Sequence, residues 1–208
     1  MFHLVKDIPK EPFLVAVSGG QDSMVFLDYL MRYPKHQFEL LYFNHSTEHG
    51  AEAEQFLIKF CAERNLVLHI GRITRERIKG ESPEEYWRKQ RYSFFESFDK
   101  KIITCHHLND VMETFLFSSF NGTPKIIPSE RGQYLRPFLA VSKHEIEKWG
   151  LRNNVRFVED PSNVSTKYAR NRIRHLILPQ VLKINPGFGK VMKKKVLQEK
   201  FDSSKEIS

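Results

Sequence analysis

The stretch Pro12-Phe13-Leu14-Val15-Ala16-Val17-Ser18-Gly19-Gly20-Gln21-Asp22-Ser23 runs from an apolar segment into a glycine pair, and a helix-like segment follows at 22–33. A run that is apolar on successive residues is the pattern of a strand buried on both faces. Three more strand-like runs follow at 38–44, 66–71 and 101–106, with helix-like stretches at 51–64, 83–98 and 108–120 between and after them. This alternation predicts right-handed crossovers into a parallel sheet. Ser82, Pro83 and Glu85 mark the start of the third helix as a capping box with proline in the first turn. A fifth strand-like run at 134–139 precedes a helix signalled by Ser142 and Glu145. From Glu159 the character changes to a polar turn, a basic helix expected to end before Pro179, and a Lys-rich tail. The expected fold is α/β, a doubly wound, mostly parallel sheet over residues 1–158. A small basic helical extension over 159–208, its tail flexible, completes the chain.

Composition narrows the function. With 208 residues, 40% hydrophobic and 28% charged, the chain has the make-up of a soluble domain with one sizeable core and an appendage. No run approaches the ~18 apolar residues that a membrane span needs. The opening MFHLVKDIPKEP has no apolar stretch of signal-peptide type. Cys61 and Cys105 form neither a CxxC pair nor a zinc-ligand pair, so the reducing cytoplasm is the expected setting. Charge is segregated: residues 1–150 hold 20 Lys and Arg against 20 Asp and Glu, whereas 151–195 hold 11 against Glu159 and Asp160. A neutral body with a basic section suits a polyanionic partner, and a solvated helical face is the plain alternative.

In such sheets ligands bind beyond the carboxyl ends of the strands. That rule selects 18–23, 44–49, 70–74 and 105–110. In the first of these, the two glycines admit positive φ and close approach of an anion, and N–H groups at a helix start complete a phosphate cradle. No Gly-Lys-Ser/Thr follows, so the loop is not a Walker A motif. Without that lysine, a triphosphate needs Mg²⁺ and residues from elsewhere, and Asp22 is the candidate metal ligand. A plain β–α turn is the alternative.

Ser18-Gly19-Gly20-Gln21-Asp22-Ser23 resembles the pyrophosphate-binding SGGxDS loop of the PP-loop ATPases, the N-type ATP pyrophosphatases. Further segments narrow the resemblance to the tRNA(Ile)-lysidine synthetase family, in a short form lacking the C-terminal domains. His106-His107-Leu108-Asn109-Asp110-Val111-Met112-Glu113-Thr114 is similar to its HHxxDxxET signature. On a helix Asp110 lies three residues from both His107 and Glu113, so the three share a face. A metal site built from the two histidines and two carboxylates, or a polar helix start without chemistry, are the alternatives. Trp87-Arg88-Lys89-Gln90-Arg91-Tyr92 resembles an A-R-x-x-R-Y segment with Trp87 in place of alanine. Arg88 or Arg91 there is the candidate for the missing phosphate charge, and which of them is left open. Glu159–Asn163, Arg170–Arg174 and Ile177–Pro179 are similar to EDxSN…RNxIR…P, and Arg136-Pro137 resembles an RPLL segment. Asn121–Lys125 departs from the family's glycine-rich pattern, with Pro124 replacing a glycine.

The resemblance implies an activity. ATP adenylates the C2 oxygen of the wobble cytidine, position 34, of tRNA(Ile) with a CAU anticodon. Free L-lysine then displaces AMP, and the products are lysidine, AMP and pyrophosphate. Ser18, Gly19, Gly20, Gln21, Asp22 and Ser23 would bind ATP, and Asp22 and Asp110 would hold Mg²⁺. Asp110, His106, His107, Arg88 and Arg91 would be catalytic, and Arg170, Asn171, Arg172, Arg174, Lys193 and Lys194 would contact the tRNA. Free lysine has a pKa of ~10.4, so about one molecule in two thousand is nucleophilic at neutral pH; Asp110 is the candidate base. No membrane partner is implied, and the oligomeric state is open, a homodimer included. A tRNA thiolase and a non-catalytic RNA-binding relative are the alternatives.

Overall fold

Phe13, Leu14 and Val15 are fully buried, and the strand they form, β1 (Phe13–Ala16), has a parallel neighbour on each side. The computed structural model describes residues 1–33, 36–161, 165–166 and 168–202. β2 (Phe38–Asn44) pairs with β1 through Phe13 opposite Phe38, and β4 (Ile102–Thr104) pairs on the other side through Val15 opposite Ile103. β3 (Leu68–Arg72) continues the sheet beyond β2, again parallel, with Asn44 opposite Arg72. The order β3-β2-β1-β4 reverses direction between β1 and β4. Three helices connect these strands: α1 (Gln21–Met31), α2 (Glu48–Ala62) and α3 (Pro83–Glu96). Right-handed crossovers then put α1 and α2 on one face and α3 on the other, which is the doubly wound arrangement the alternation predicts. Met24, Val25, Phe26, Leu27 and Leu30 of α1 are at most 1% exposed. At roughly 1.5–3 kcal/mol per buried apolar side chain, such contacts dominate the sheet's stability.

By contacts the chain divides into two compact units. One is Pro9–Thr104 with Val155–Glu159 and holds the parallel sheet; the other joins Met1–Ile8, Cys105–Asn154 and the segment from Asp160. The second unit contains α4 (Leu108–Phe120) and a short antiparallel hairpin of β5 (Glu130–Arg131) and β6 (Tyr134–Leu135). Its other helices are α5 (Lys143–Arg152), α6 (Ala169–Arg172), α7 (Leu178–Ile184) and α8 (Phe188–Asp202). Its core gathers Val5, Leu108, Val111, Met112, Leu139, Leu178, Phe188, Met192 and Val196.

Three sequence expectations need correction. Only Tyr134–Leu135 of the run 134–139 is strand; Pro137 has no N–H for a ladder and opens a buried 3-10 turn, Pro137–Ala140. The basic helix does not stop before Pro179. A π-helical turn, Ile173–Ile177, follows α6, and Pro179 sits in the first turn of α7, where a missing N–H is tolerated. The Lys-rich stretch is the helix α8, which buries Phe188, Met192 and Val196 at four-residue spacing. Residues 203–208, which carry the expected flexible tail, lie outside the described residues, as do Ser162 and Asn163 of the polar turn.

Candidate functional site

The loop between β1 and α1 stands at the carboxyl end of β1, beside the point where the strand order reverses. Gly19 is in the left-handed region at φ +79, and a Cβ there would lie 3.3 Å from Ala53 Cβ, so both torsion and space favour glycine. Gly20 is the N-cap of α1 and brings no capping side chain, which leaves the first turn's N–H groups without a side-chain cap. Two serines brace the bend from inside. Ser23 Oγ donates to the Gly20 carbonyl at 2.8 Å, and the Ser18 N–H donates to Ser23 Oγ at 3.2 Å. The Gly20 N–H reaches Ser18 Oγ at 3.3 Å. The hydroxyls thus set the shape of the bend, and the backbone at the start of α1 presents N–H groups of the kind that can receive an anion. Asp22 lies in that first turn. Sequence reading missed one clamp: the Val158 N–H donates to the Gly19 carbonyl at 3.0 Å, so the residues before the polar turn close on the glycine pair.

The rim of the sheet continues at the end of β2. His45 meets Phe43 edge-on at 5.0 Å and Trp87 at 5.9 Å. Its buried Nδ1 has no hydrogen-bond partner among the described residues. Burial first, and the nearby Arg91 charge second, push this imidazole down to about 4, so it is neutral at physiological pH. The two candidate arginines of α3 therefore differ. Arg91 is half-buried near His45, whereas Arg88 is exposed over the Tyr92 ring at 5.1 Å. Glu54 of α2, 7% exposed, accepts from Asn44 Nδ2 at 2.8 Å and from Arg72 Nη2 at 2.5 Å. The strand-end rule selects the segments holding Asn44 and Arg72. Glu54 carried no sequence signal, because its partners lie 10 and 18 residues away.

In the second unit the histidine signature opens α4. His107, 4% exposed, is the N-cap: its Nδ1 accepts the Asn109 N–H at 3.2 Å, which places the proton of the neutral ring on Nε2. Asp110 Oδ2 accepts the His107 N–H at 2.9 Å and lies 3.6 Å from His107 Nε2. The expected common face exists, and it takes the form of a reciprocal capping box. Glu113, one turn on and 3% exposed, receives a fork from Arg174, Nε to Oε1 at 2.7 Å and Nη2 to Oε2 at 3.0 Å. The same Arg174 Nη2 is 3.6 Å from Asp110 Oδ1. His106 is half-buried in the lead-in to α4. The structure thus gathers His107, Asp110, Glu113 and Arg174.

The other basic candidates divide by exposure. Arg170 and Arg172 are exposed, with Arg172 Nε donating to the Thr166 carbonyl at 2.9 Å, and Asn171 Nδ2 donates to the Ser165 carbonyl at 2.7 Å. Lys194 is exposed and Lys193 half-buried. Among the described residues no three His, Cys, Asp or Glu side chains converge as a metal site. A magnesium ion bound to nucleotide needs only one or two carboxylates besides phosphate oxygens and water, and Asp22 beside the loop fits that demand. Among the described residues no helix is long and apolar enough to cross a membrane.

A lysine-free glycine loop at the reversal of a doubly wound parallel sheet is the architecture of an α/β nucleotide-binding protein. The chain belongs to the PP-loop domain family, which matches residues 1–181, and membership implies the use of ATP. It is 34% identical over 194 residues to a tRNA(Ile)-lysidine synthase of Exiguobacterium sibiricum, covering 87% of this chain and 46% of that protein. It is 35% identical over 204 residues to the tRNA(Ile)-lysidine synthase of Thermosipho africanus, covering 90% and 47%. The chain therefore spans about half the length of the curated relatives it matches. Among solved structures, the U34-tRNA thiolase NcsA from Methanococcus maripaludis matches with a TM-score of 0.71 at 17% identity, covering 92% of this chain and 74% of that one, a likeness of fold.

Proposed function

We propose that this chain joins free L-lysine to C2 of the wobble cytidine of a tRNA(Ile) with a CAU anticodon, at the expense of ATP. The cytidine C2 oxygen attacks the α-phosphorus, and the bond to pyrophosphate breaks. The ε-amine of lysine then adds to C2, the C2–oxygen bond breaks, and AMP leaves. One amine proton passes to Asp110. The loop Ser18–Ser23 seats the departing pyrophosphate on backbone N–H groups, with Arg91 or Arg88 adding charge. Asp22 would hold Mg²⁺, which would supply positive charge to the polyphosphate. Asp110 has its Oδ2 tied to the His107 N–H, so the carboxylate is fixed in direction before lysine arrives. His107 and His106 line the same helix head and steady the adenylated base. Arg170, Arg172 and Lys194 are exposed cations for tRNA phosphates.

The observation that carries this reading is the His107–Asp110–Glu113 constellation at the head of α4, on a chain 34–35% identical to two lysidine synthases. At Cys61 a sulfur-transfer reading has weaker support, because burial pushes the thiol up to about 11 and so suppresses the reactive thiolate. Incubation with ATP, Mg²⁺, labelled lysine and unmodified tRNA(Ile) bearing CAU is the test. Label in the RNA supports lysine ligation. Release of pyrophosphate without label points to another tRNA adenylation, and no pyrophosphate at all points to a non-catalytic RNA-binding module.

A further inference from the structure

The glycine loop lacks the lysine that other phosphate loops use, so cationic charge for a triphosphate has to come from elsewhere, and the rim of the sheet offers an arginine besides those of α3. Arg72 is the last residue of β3, in register with Asn44 at the end of β2. Its guanidinium is held in an unusual way. The carboxylate that binds it, Glu54, is buried at 7% exposure, whereas the Arg72 side chain is 61% exposed. Burying a carboxylate costs several kcal/mol before compensation, and a closed ion pair rarely repays that in stability. A buried acid that grips an exposed base instead fixes the base's direction. One Nη2 contact holds Arg72 to Glu54, and its remaining N–H donors have no partner among the described residues. A guanidinium anchored on one edge keeps another edge for bidentate binding of a phosphate.

The anchor lies beside the loop. Ala53, the residue before Glu54 on α2, is the group that a Cβ on Gly19 would touch at 3.3 Å. The other side of the Glu54 carboxylate takes Asn44 Nδ2 at 2.8 Å, and Asn44 Oδ1 accepts the Ser46 N–H at 2.8 Å. Ser46 stands at φ 57, and a Cβ on Gly50 would fall 2.6 Å from Asn44 Oδ1. The β2–α2 turn is therefore closed tightly around Asn44, which in turn pins Glu54. We infer that Arg72 is a phosphate-binding residue of the nucleotide site, and that Glu54, fixed by Asn44, is the residue that positions it. This rests on the reading that the loop Ser18–Ser23 holds the phosphates of ATP.

Calorimetric titration of the full chain with Mg·ATP and, separately, with adenosine tests it. Arg72→Ala should weaken ATP about tenfold, the size of one charge-assisted contact, and leave adenosine within twofold. Arg72→Lys should recover part of the loss. Glu54→Gln should weaken ATP in the same sense, and adding it to Arg72→Ala should cost nothing more, since a positioning residue acts only through what it positions. Arg72→Ala leaves Glu54 its bond from Asn44, and an adenosine affinity within twofold shows that the site is still folded, which keeps the test valid even if Glu54→Gln does not fold. ATP affinity of Arg72→Ala within twofold of the unaltered chain overturns the inference and leaves the loop's role standing. An unaltered chain that does not bind ATP overturns both.

Discussion

Two buried glutamates each hold an arginine, one in each compact unit, and the pairs are built differently. Glu113 of the helical unit receives a two-bond fork from Arg174, whose side chain is 38% exposed. Glu54 of the sheet unit receives a single bond from Arg72, 61% exposed, and shares its carboxylate with Asn44. In the first case one partner satisfies a carboxylate that has little access to water. In the second the acid keeps an amide partner if the arginine leaves. The same ion pair thus serves as internal scaffolding at the head of α4 and as a mount for an outward cation at the rim of the sheet. Similar sequence chemistry, an acid and a base far apart in the chain, does not reveal which.

The largest expected effect lies in the helical unit. Arg174→Met should destabilise it by about 3–5 kcal/mol, because Glu113 is left buried and unpaired. Urea unfolding would show this, with Glu113→Leu in the same chain restoring much of the loss. An unchanged unfolding midpoint with weakened tRNA binding would instead place Arg174 on the RNA. Next in size, Asp110→Asn keeps a capping oxygen for the His107 N–H but removes the base. Lysine coupling should slow about a hundredfold or more while adenylation stays within a few-fold, as read by single-turnover assay of both half-reactions. Equal losses in the two steps would contradict the division of labour.

In the sheet unit, Gly19→Ala should cost about 1–2 kcal/mol, since an L side chain at φ +79 is strained and its Cβ presses on Ala53. Thermal melts with and without Mg·ATP would show lower stability and a smaller ligand-induced rise. A further effect concerns pH. His45 is held down to about 4 in the folded chain, below the usual 6.5. As pH falls through 6.5 the unfolded chain takes up this proton and the folded one does not, so stability declines between 6.5 and about 4 and levels off below. His45→Gln should remove that contribution, and melts across this range should show the variant gaining on the unaltered protein as pH falls. A constant difference between the two would mean that His45 is not held neutral.

Much of the sheet unit was legible because its signals are local. Continuous apolar runs gave β1 to β4, and the glycine pair gave a bend whose φ of +79 only glycine takes easily. The head of α4 was legible for the same reason: His107, Asp110 and Glu113 are three residues apart. What escaped depends on partners distant in sequence. Val158 on Gly19, and Glu54 between Asn44 and Arg72, are long-range contacts with no periodic trace. The sequence groups Arg174 with Arg170 and Arg172 on one basic helix as expected tRNA contacts. A π-helical turn at Ile173–Ile177 interrupts that helix, and Arg174 meets Glu113 while Arg170 and Arg172 stay exposed. The helix α8 was hidden by its lysines, although Phe188, Met192 and Val196 carry the apolar spacing.

The loop without lysine is proposed to seat the pyrophosphate released when ATP activates a tRNA base for attack by lysine. Product stoichiometry tests it most directly: ATP labelled at the α and γ positions, unmodified tRNA(Ile) with CAU, and lysine, with all products separated. The expected result is one AMP and one pyrophosphate for each lysine attached to RNA, and no AMP without tRNA. ADP and orthophosphate as products, or AMP formed equally well without tRNA, would contradict it.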